Sequence, residues 1–363
     1  MSVSQALFTP LRLGVAELKH RVALAPLTRY RADDAHVHTD LAVEYYRQRS
    51  SVPGTMLITE ATFIEARAGG YADVPGIWSD AQVAAWKKIA DVVHANGSFI
   101  YMQLWALGRA AKQEVLQAEI PGADVVSSGN VKMDDEHVQP RALTAAEIDE
   151  YVDWYARAAK NAVQGAGFDG VEIHGANGYL VDQFIQNTAN NRTDEYGGSL
   201  ENRLRFPLRV VDAVIGAVGA EHTGIRLSPW GRFQGMREEN PIPTFSKLLE
   251  ELKQRELAFV HLVEPRLDWG GSEGDSLDWA RAIWKPRPLV LACGFTPATA
   301  VETAQKAADN GEQVVIAFGR DFISNPDLPL RIQRNLALTP YDRDTFYTAK
   351  SPKGYTDYLF ASA

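Results

Sequence analysis

The chain has 363 residues, of which 45% are hydrophobic and 23% charged. These are ordinary globular proportions and exclude a disordered, collagen-like or coiled-coil architecture. Lys plus Arg number 37 against 46 Asp plus Glu, a formal net charge of −9. With no long basic run, the chain is a poor partner for nucleic acid or an anionic membrane surface.

Short apolar runs recur in chain order at Val22–Ala25, Met56–Ile58, Phe99–Leu104, Gly170–Ile173, Gly224–Leu227, Phe259–Val263, Leu289–Ala292 and Val314–Phe318. Runs of this length suit strands buried on both faces of a parallel sheet. Helical patterns lie between many of them. Ser79 with Gln82 reads as a capping box, followed by Val83, Trp86, Ile89, Ala90 and Val93 at helical spacing, with Gly97 as the stop. Thr144 with Glu147 reads as a second box, before Ile148, Tyr151, Tyr155, Ala158 and Ala162. Phe245, Leu248, Leu249 and Leu252 form a further stripe. Thr296-Pro297 and Asn325-Pro326 each read as an N-cap followed by proline at the first helical position.

Strands alternating with helices over this length predict a single (β/α)8 TIM barrel spanning residues 1–363, with an N-terminal cap. A doubly wound open sheet is disfavoured because no Gly-rich dinucleotide fingerprint follows the first strand. The polar, glycine-containing stretch from Ala106 to Arg141 reads as a long excursion after strand three, over the barrel mouth or as an ordinary surface insertion. The one cysteine, Cys293, cannot close an internal disulfide, which predicts a reducing, cytoplasmic setting. No apolar run approaches membrane-spanning length, and Met1 to Pro10 lacks the basic-then-apolar pattern of a secretory leader.

Barrel chemistry gathers at the C-terminal strand ends. Those ends carry Pro26-Leu27-Thr28, Thr59-Glu60-Ala61, Gln103-Leu104-Trp105, His174 with Asn177 and Tyr179, Arg226, Cys293-Gly294 and Gly319-Arg320. No metal-ligand spacing is present among them, since His174 has no second histidine at helical spacing. Gly294 and Gly319-Arg320 follow strands seven and eight, where barrels commonly hold a phosphate. Taken singly, His174 suits a structural histidine, Tyr179 a packed aromatic, and Arg226 a partner of a buried carboxylate.

Whole motifs carry more. Ala25-Pro26-Leu27-Thr28-Arg29, Gln103-Leu104-Trp105, the run from Val171 to Leu180, the run from Arg192 to Arg203, Arg226-Leu227-Ser228-Pro229, the run from Phe318 to Leu328 and the run from Tyr341 to Tyr347 resemble, in order, the old yellow enzyme family of FMN-dependent ene-reductases. Thr28 resembles the yeast, plant and fungal branch, since another branch has a thiol there.

The resemblance implies a non-covalent FMN site. Thr28 would bond flavin O4, Pro26, Leu27 and Ala61 would make backbone contacts, and Gln103 would meet the pyrimidine edge. Arg226 would sit near N1 and O2, with His174 and Tyr347 also contacting the cofactor. Cys293, Gly294, Gly319 and Arg320 would surround the phosphate. It also implies that His174 and Asn177 donate to a substrate oxygen and that Tyr179 is the proton donor. Tyr71, Trp105, Trp269 and Phe346 would shape the substrate pocket.

The implied reaction is ping-pong. NADPH, or NADH, reduces the flavin, and an α,β-unsaturated aldehyde, ketone, nitroalkene or imide is then reduced. A flavin-dependent isomerase or a pathway-specific aldehyde reductase is the alternative, and a flavin-binding protein without turnover a third. A monomer and a homodimer both remain open. Three departures stand out. Ala61 and Cys293 occupy positions where relatives commonly have glycine or another small residue, and the segment around Trp269 is shorter than in yeast relatives.

Overall fold

The computed structural model describes residues 5–266 and 271–362. Eight parallel strands close into a barrel: β1 (Val22–Leu24), β2 (Met56–Ile58), β3 (Phe99–Trp105), β4 (Gly170–Gly175), β5 (Thr223–Leu227), β6 (Phe259–Val263), β7 (Pro288–Ala292) and β8 (Gln313–Phe318). Closure comes from β8 pairing with β1, where Ala317 lies opposite Ala23. Helices α1 (Asp40–Arg49), α2 (Asp80–Ala95), α3 (Ala145–Lys160), α4 (Leu200–Val218), α5 (Ile242–Gln254), α6 (Asp278–Trp284), α7 (Pro297–Asp309) and α8 (Leu328–Gln333) follow the strands in turn. The (β/α)8 expectation holds.

The apolar runs are apolar on both faces because each face meets a different core. Outward residues such as Leu57, Met102, Leu104, Ile225 and Leu291 pack under the helices. Inward residues Ala23, Met56, Tyr101, Phe259, Val290 and Val315 fill the barrel. Beneath them an antiparallel hairpin, Leu11–Leu13 with Ala16–Leu18, plugs the N-terminal end with Leu11, Leu13, Ala16 and Leu18. That hairpin is the N-terminal cap. Gly224 makes room for the neighbouring ring, since a Cβ there would lie 2.4 Å from Phe259.

Both capping boxes form, at Ser79 with Gln82 and at Thr144 with Glu147, and Thr296 with Thr299 makes a third. One N-cap expectation is corrected. Asn325 ends the short helix Arg320–Ser324, and Asp327 precedes α8. The Asn325 side chain is already engaged: Nδ2 donates to the Asp321 carbonyl at 2.8 Å and Oδ1 accepts from Thr339 N at 2.8 Å. The excursion after β3 lies over the mouth, where Leu107, Ala111, Leu116 and Val125 pack with Trp105, Phe63 and Tyr179. The Arg192–Arg203 run is structural, with Arg192 paired to Asp194 at 2.6 Å and Arg203 to Glu238 at 2.6 Å. Among the described residues no helix is long and apolar enough to cross a membrane.

Candidate active site

Two adjoining cavities open at the C-terminal end of the barrel, of about 580 and 650 Å³. They share Pro26, Thr28, Asn177, Arg226, Arg343 and Tyr347. Ala61, Gln103, Trp105, His174 and Tyr179 line the first, together with Arg232 and Phe233. Leu27, Cys293, Gly294, Gly319 and Arg320 line the second. So the residues expected at a phosphate line the second chamber only, while those expected at a flavin ring line the first or both, except Leu27, which lines the second alone.

Local backbone explains how β4 delivers three functional side chains. Past Gly175 the chain turns through Asn177 at φ 59° and Gly178 at φ 78°. Asparagine and glycine tolerate this left-handed conformation best. Ser228 Oγ accepts from Asn177 N at 2.8 Å, and Asp182 accepts from Gly178 N at 2.9 Å. Burial pushes Asp182 up to about 7, against the opposing pull of Gln186 and Gly178. The turn is therefore tied to the residue just past β5 on one side and to the short helix Leu180–Ile185 on the other.

The aromatic wall is built around Trp105. Tyr179 meets it edge-on at 4.7 Å between centroids, and His174 lies nearly parallel to it at 6.1 Å. Tyr71, expected in the substrate pocket, meets the same indole edge-on at 5.7 Å between centroids and is not among the residues lining either cavity. His174 and Tyr179 are themselves 5.0 Å apart. Burial, helped by the nearby Arg226 charge, drives the His174 pKa well below its ordinary value. Its ring is a neutral donor at pH 7. Burial raises Tyr179 well above the ordinary phenol value, reinforced by Tyr71 and Tyr30, so its proton stays on.

Several buried nitrogens here have no hydrogen-bond partner among the described residues: His174 Nδ1, Arg226 Nε and Trp105 Nε1. Such groups cost stability unless something else satisfies them. Arg226 faces the cavities with no carboxylate paired to it among the described residues, so the ion-pair alternative fails. FMN fits this site on two counts. Its pyrimidine ring offers acceptors to Arg226 and an N–H to the Gln103 carboxamide oxygen, whose nitrogen is taken by Glu172, and the second chamber presents Arg320 with two glycines for a phosphate. A Cβ at Gly294 would approach Arg266 to 3.2 Å and one at Gly319 would approach Leu27 to 3.1 Å, so both positions are kept bare.

Phe346, expected in the substrate pocket, lines the second chamber instead. There its carbonyl accepts from Arg31 Nη1 at 2.7 Å and Arg29 Nε at 3.1 Å. Tyr347 lies at the rim, exposed, against Tyr30 at 5.6 Å. Trp269 lies outside the described residues. Cys293 has φ 86°, which explains why a glycine suits this position. Arg232, Phe233 and Arg343 are lining residues that the sequence pattern did not reveal, because they sit on short 3-10 turns with no strand-end signal. Gln234, whose side chain lies beside the Tyr179 hydroxyl, was missed for the same reason.

With this geometry in hand, the chain is an oxidoreductase of the flavin-dependent TIM-barrel class. Residues 6–339 match the NADH:flavin oxidoreductase / NADH oxidase family. The chain belongs to that family, and within it to the old yellow enzymes. It is 53% identical to a chanoclavine-I aldehyde reductase of Penicillium roqueforti over 98% of this chain and 96% of that one. It is 49% identical to an NADP-dependent oxidoreductase of Aspergillus flavus, over 98% and 96%. The solved old yellow enzyme from Pichia sp. AKU4542 superposes with a TM-score of 0.92 at 41% identity, covering 99% of this chain and 94% of that one.

Proposed function

We propose that the protein is an FMN-dependent ene-reductase that takes hydride from NADPH and delivers it to the activated C=C of α,β-unsaturated carbonyl or nitro compounds. The observation that carries this reading is the convergence of His174, Asn177 and Tyr179 on the cavity that Thr28, Gln103 and Arg226 also line. FMN, when bound, supplies the hydride carrier between donor and alkene.

The chain's own residues do the rest. Thr28, Gln103 and Arg226 hold the flavin ring, and Gly294, Gly319 and Arg320 hold its phosphate. Arginine stays protonated and compensates negative charge that collects beside it. The neutral His174 ring and the Asn177 amide donate to the substrate oxygen, which stabilises the enolate-like charge that develops there. Tyr179 keeps its proton until the substrate carbon takes it. One cavity serves nicotinamide and alkene in turn, which gives ping-pong order.

The test is an anaerobic visible spectrum of the purified protein with NADPH and then a simple enone. A flavin spectrum that bleaches and then returns supports the reading, and colourless protein that takes up no FMN refutes it. A second reading, reduction of a particular pathway aldehyde, is favoured by the name of the Penicillium relative. Bleaching by NADPH that a panel of simple enones does not reverse, but chanoclavine-I aldehyde does, would select it.

A further inference from the structure

Beneath the first cavity the barrel interior is polar where a fold alone would make it apolar. Glu172 and His261 are fully buried, and Gln103 nearly so. One Glu172 oxygen accepts from Gln103 Nε2 at 2.7 Å, and the other meets His261 Nδ1 at 2.7 Å. Register places them together. Gln103 lies opposite Glu172 across β3 and β4, while Arg226 lies opposite both His174 and His261. The layer below is Tyr101, Gly170, Gly224 and Phe259, which needs no charge. Replacing a buried ionic group by packed apolar residues is often neutral or stabilising, so stability alone does not explain Glu172.

A carboxylate only accepts hydrogen bonds, whereas a carboxamide has a donor end and an acceptor end. With Glu172 on one side, the Gln103 amide has a single good orientation. Its nitrogen turns to the carboxylate, and its oxygen is left for the cavity that Gln103 lines. His261 holds the far oxygen, so the carboxylate itself does not turn. Burial keeps the His261 ring neutral, so its Nδ1–H is the donor in that contact.

We propose that Glu172, clamped by His261, is a positioning residue that fixes which end of the Gln103 carboxamide meets the flavin's pyrimidine edge, and so sets the affinity for FMN. This rests on reading the cavity as the flavin site. A flipped amide would set donor against the ring's own N–H and forfeit the bond to Glu172.

The test is a double-mutant cycle on apoprotein titrated with FMN, followed by flavin fluorescence. Melting curves confirm that each variant is folded. Glu172→Gln keeps the shape but lets the neighbouring amides turn, and should weaken FMN binding on the order of tenfold. Gln103→Leu should weaken it comparably. The double variant should lie within about twofold of Gln103→Leu, because removing the group through which Glu172 acts removes its effect. Full additivity, or unchanged affinity in Glu172→Gln, overturns the proposal. If Glu172→Gln does not fold, His261→Asn loosens the clamp from its other end. It should weaken binding several-fold, on the order of one hydrogen bond, and only while Gln103 is present. A loss that persists in Gln103→Leu again overturns the proposal. Wild-type protein that binds no FMN refutes the flavin reading itself, a separate outcome.

Discussion

Replacing Tyr179 by phenylalanine removes one hydroxyl and leaves the ring where it is. The ring is held edge-on against Trp105 at 4.7 Å and against His174 at 5.0 Å, and both contacts survive the change. The cavity keeps its shape, and what is lost is the proton and the hydroxyl's contact with the Gln234 side chain. General acid catalysis of this kind is worth roughly 10²–10⁴ in rate. The reoxidation of reduced flavin by an enone should therefore slow by that factor, while reduction of the flavin by NADPH changes by less than about threefold, well inside what an absent proton donor would cause. Anaerobic stopped-flow absorbance separates the two half-reactions. Because burial holds the Tyr179 pKa well above the ordinary phenol value, the wild-type reoxidation rate should stay flat through neutral and mildly alkaline pH. Equal losses in both half-reactions, or none in the second, would refute the assignment of Tyr179 as the acid.

Ligand binding, strain and pH offer further checks. His174→Ala combined with Asn177→Ala should weaken binding of a phenolic ligand, read from its perturbation of the flavin spectrum, by at least about tenfold for two lost donors; unchanged binding would reject their role. Cys293→Gly should stabilise the fold by about 1 kcal/mol in urea denaturation, because it relieves a left-handed backbone that glycine adopts freely. A lower midpoint would contradict that origin. His20 is buried, with Nδ1 accepting from Val22 N and Nε2 against Thr55, and burial lowers it from 6.5 to about 4. The unfolded chain therefore takes up a proton that the folded one refuses, and stability falls as pH drops through that window by an amount on the order of 3 kcal/mol. His20→Asn should gain on wild type by that order between pH 6.5 and 4, and parallel pH profiles of melting would refute it. Asp182 has the opposite sign. Raised to about 7, its contribution is full below 3.8 and is lost as pH rises through about 7.

The sequence by itself determined the alternation of strands and helices, three N-caps, and the strand-end residues that meet at the barrel mouth. These are local matters: an N-cap acts within one helical turn, and a strand end carries its functional side chain with it. Reading Asn325 as an N-cap failed because its side chain is taken by Thr339, a partner outside any local window. Only the tertiary structure decided which face of each strand turns inward, since both faces of a barrel strand are buried and the runs show no clean alternation. That choice puts Glu172 and His261, 89 positions apart, into one hydrogen bond inside the barrel. It also moves Phe346 to the chamber beside Arg320 and brings Arg232, Phe233 and Arg343 to the mouth. Loops carry no periodicity, so where they close over a site depends on the packing of everything beneath them.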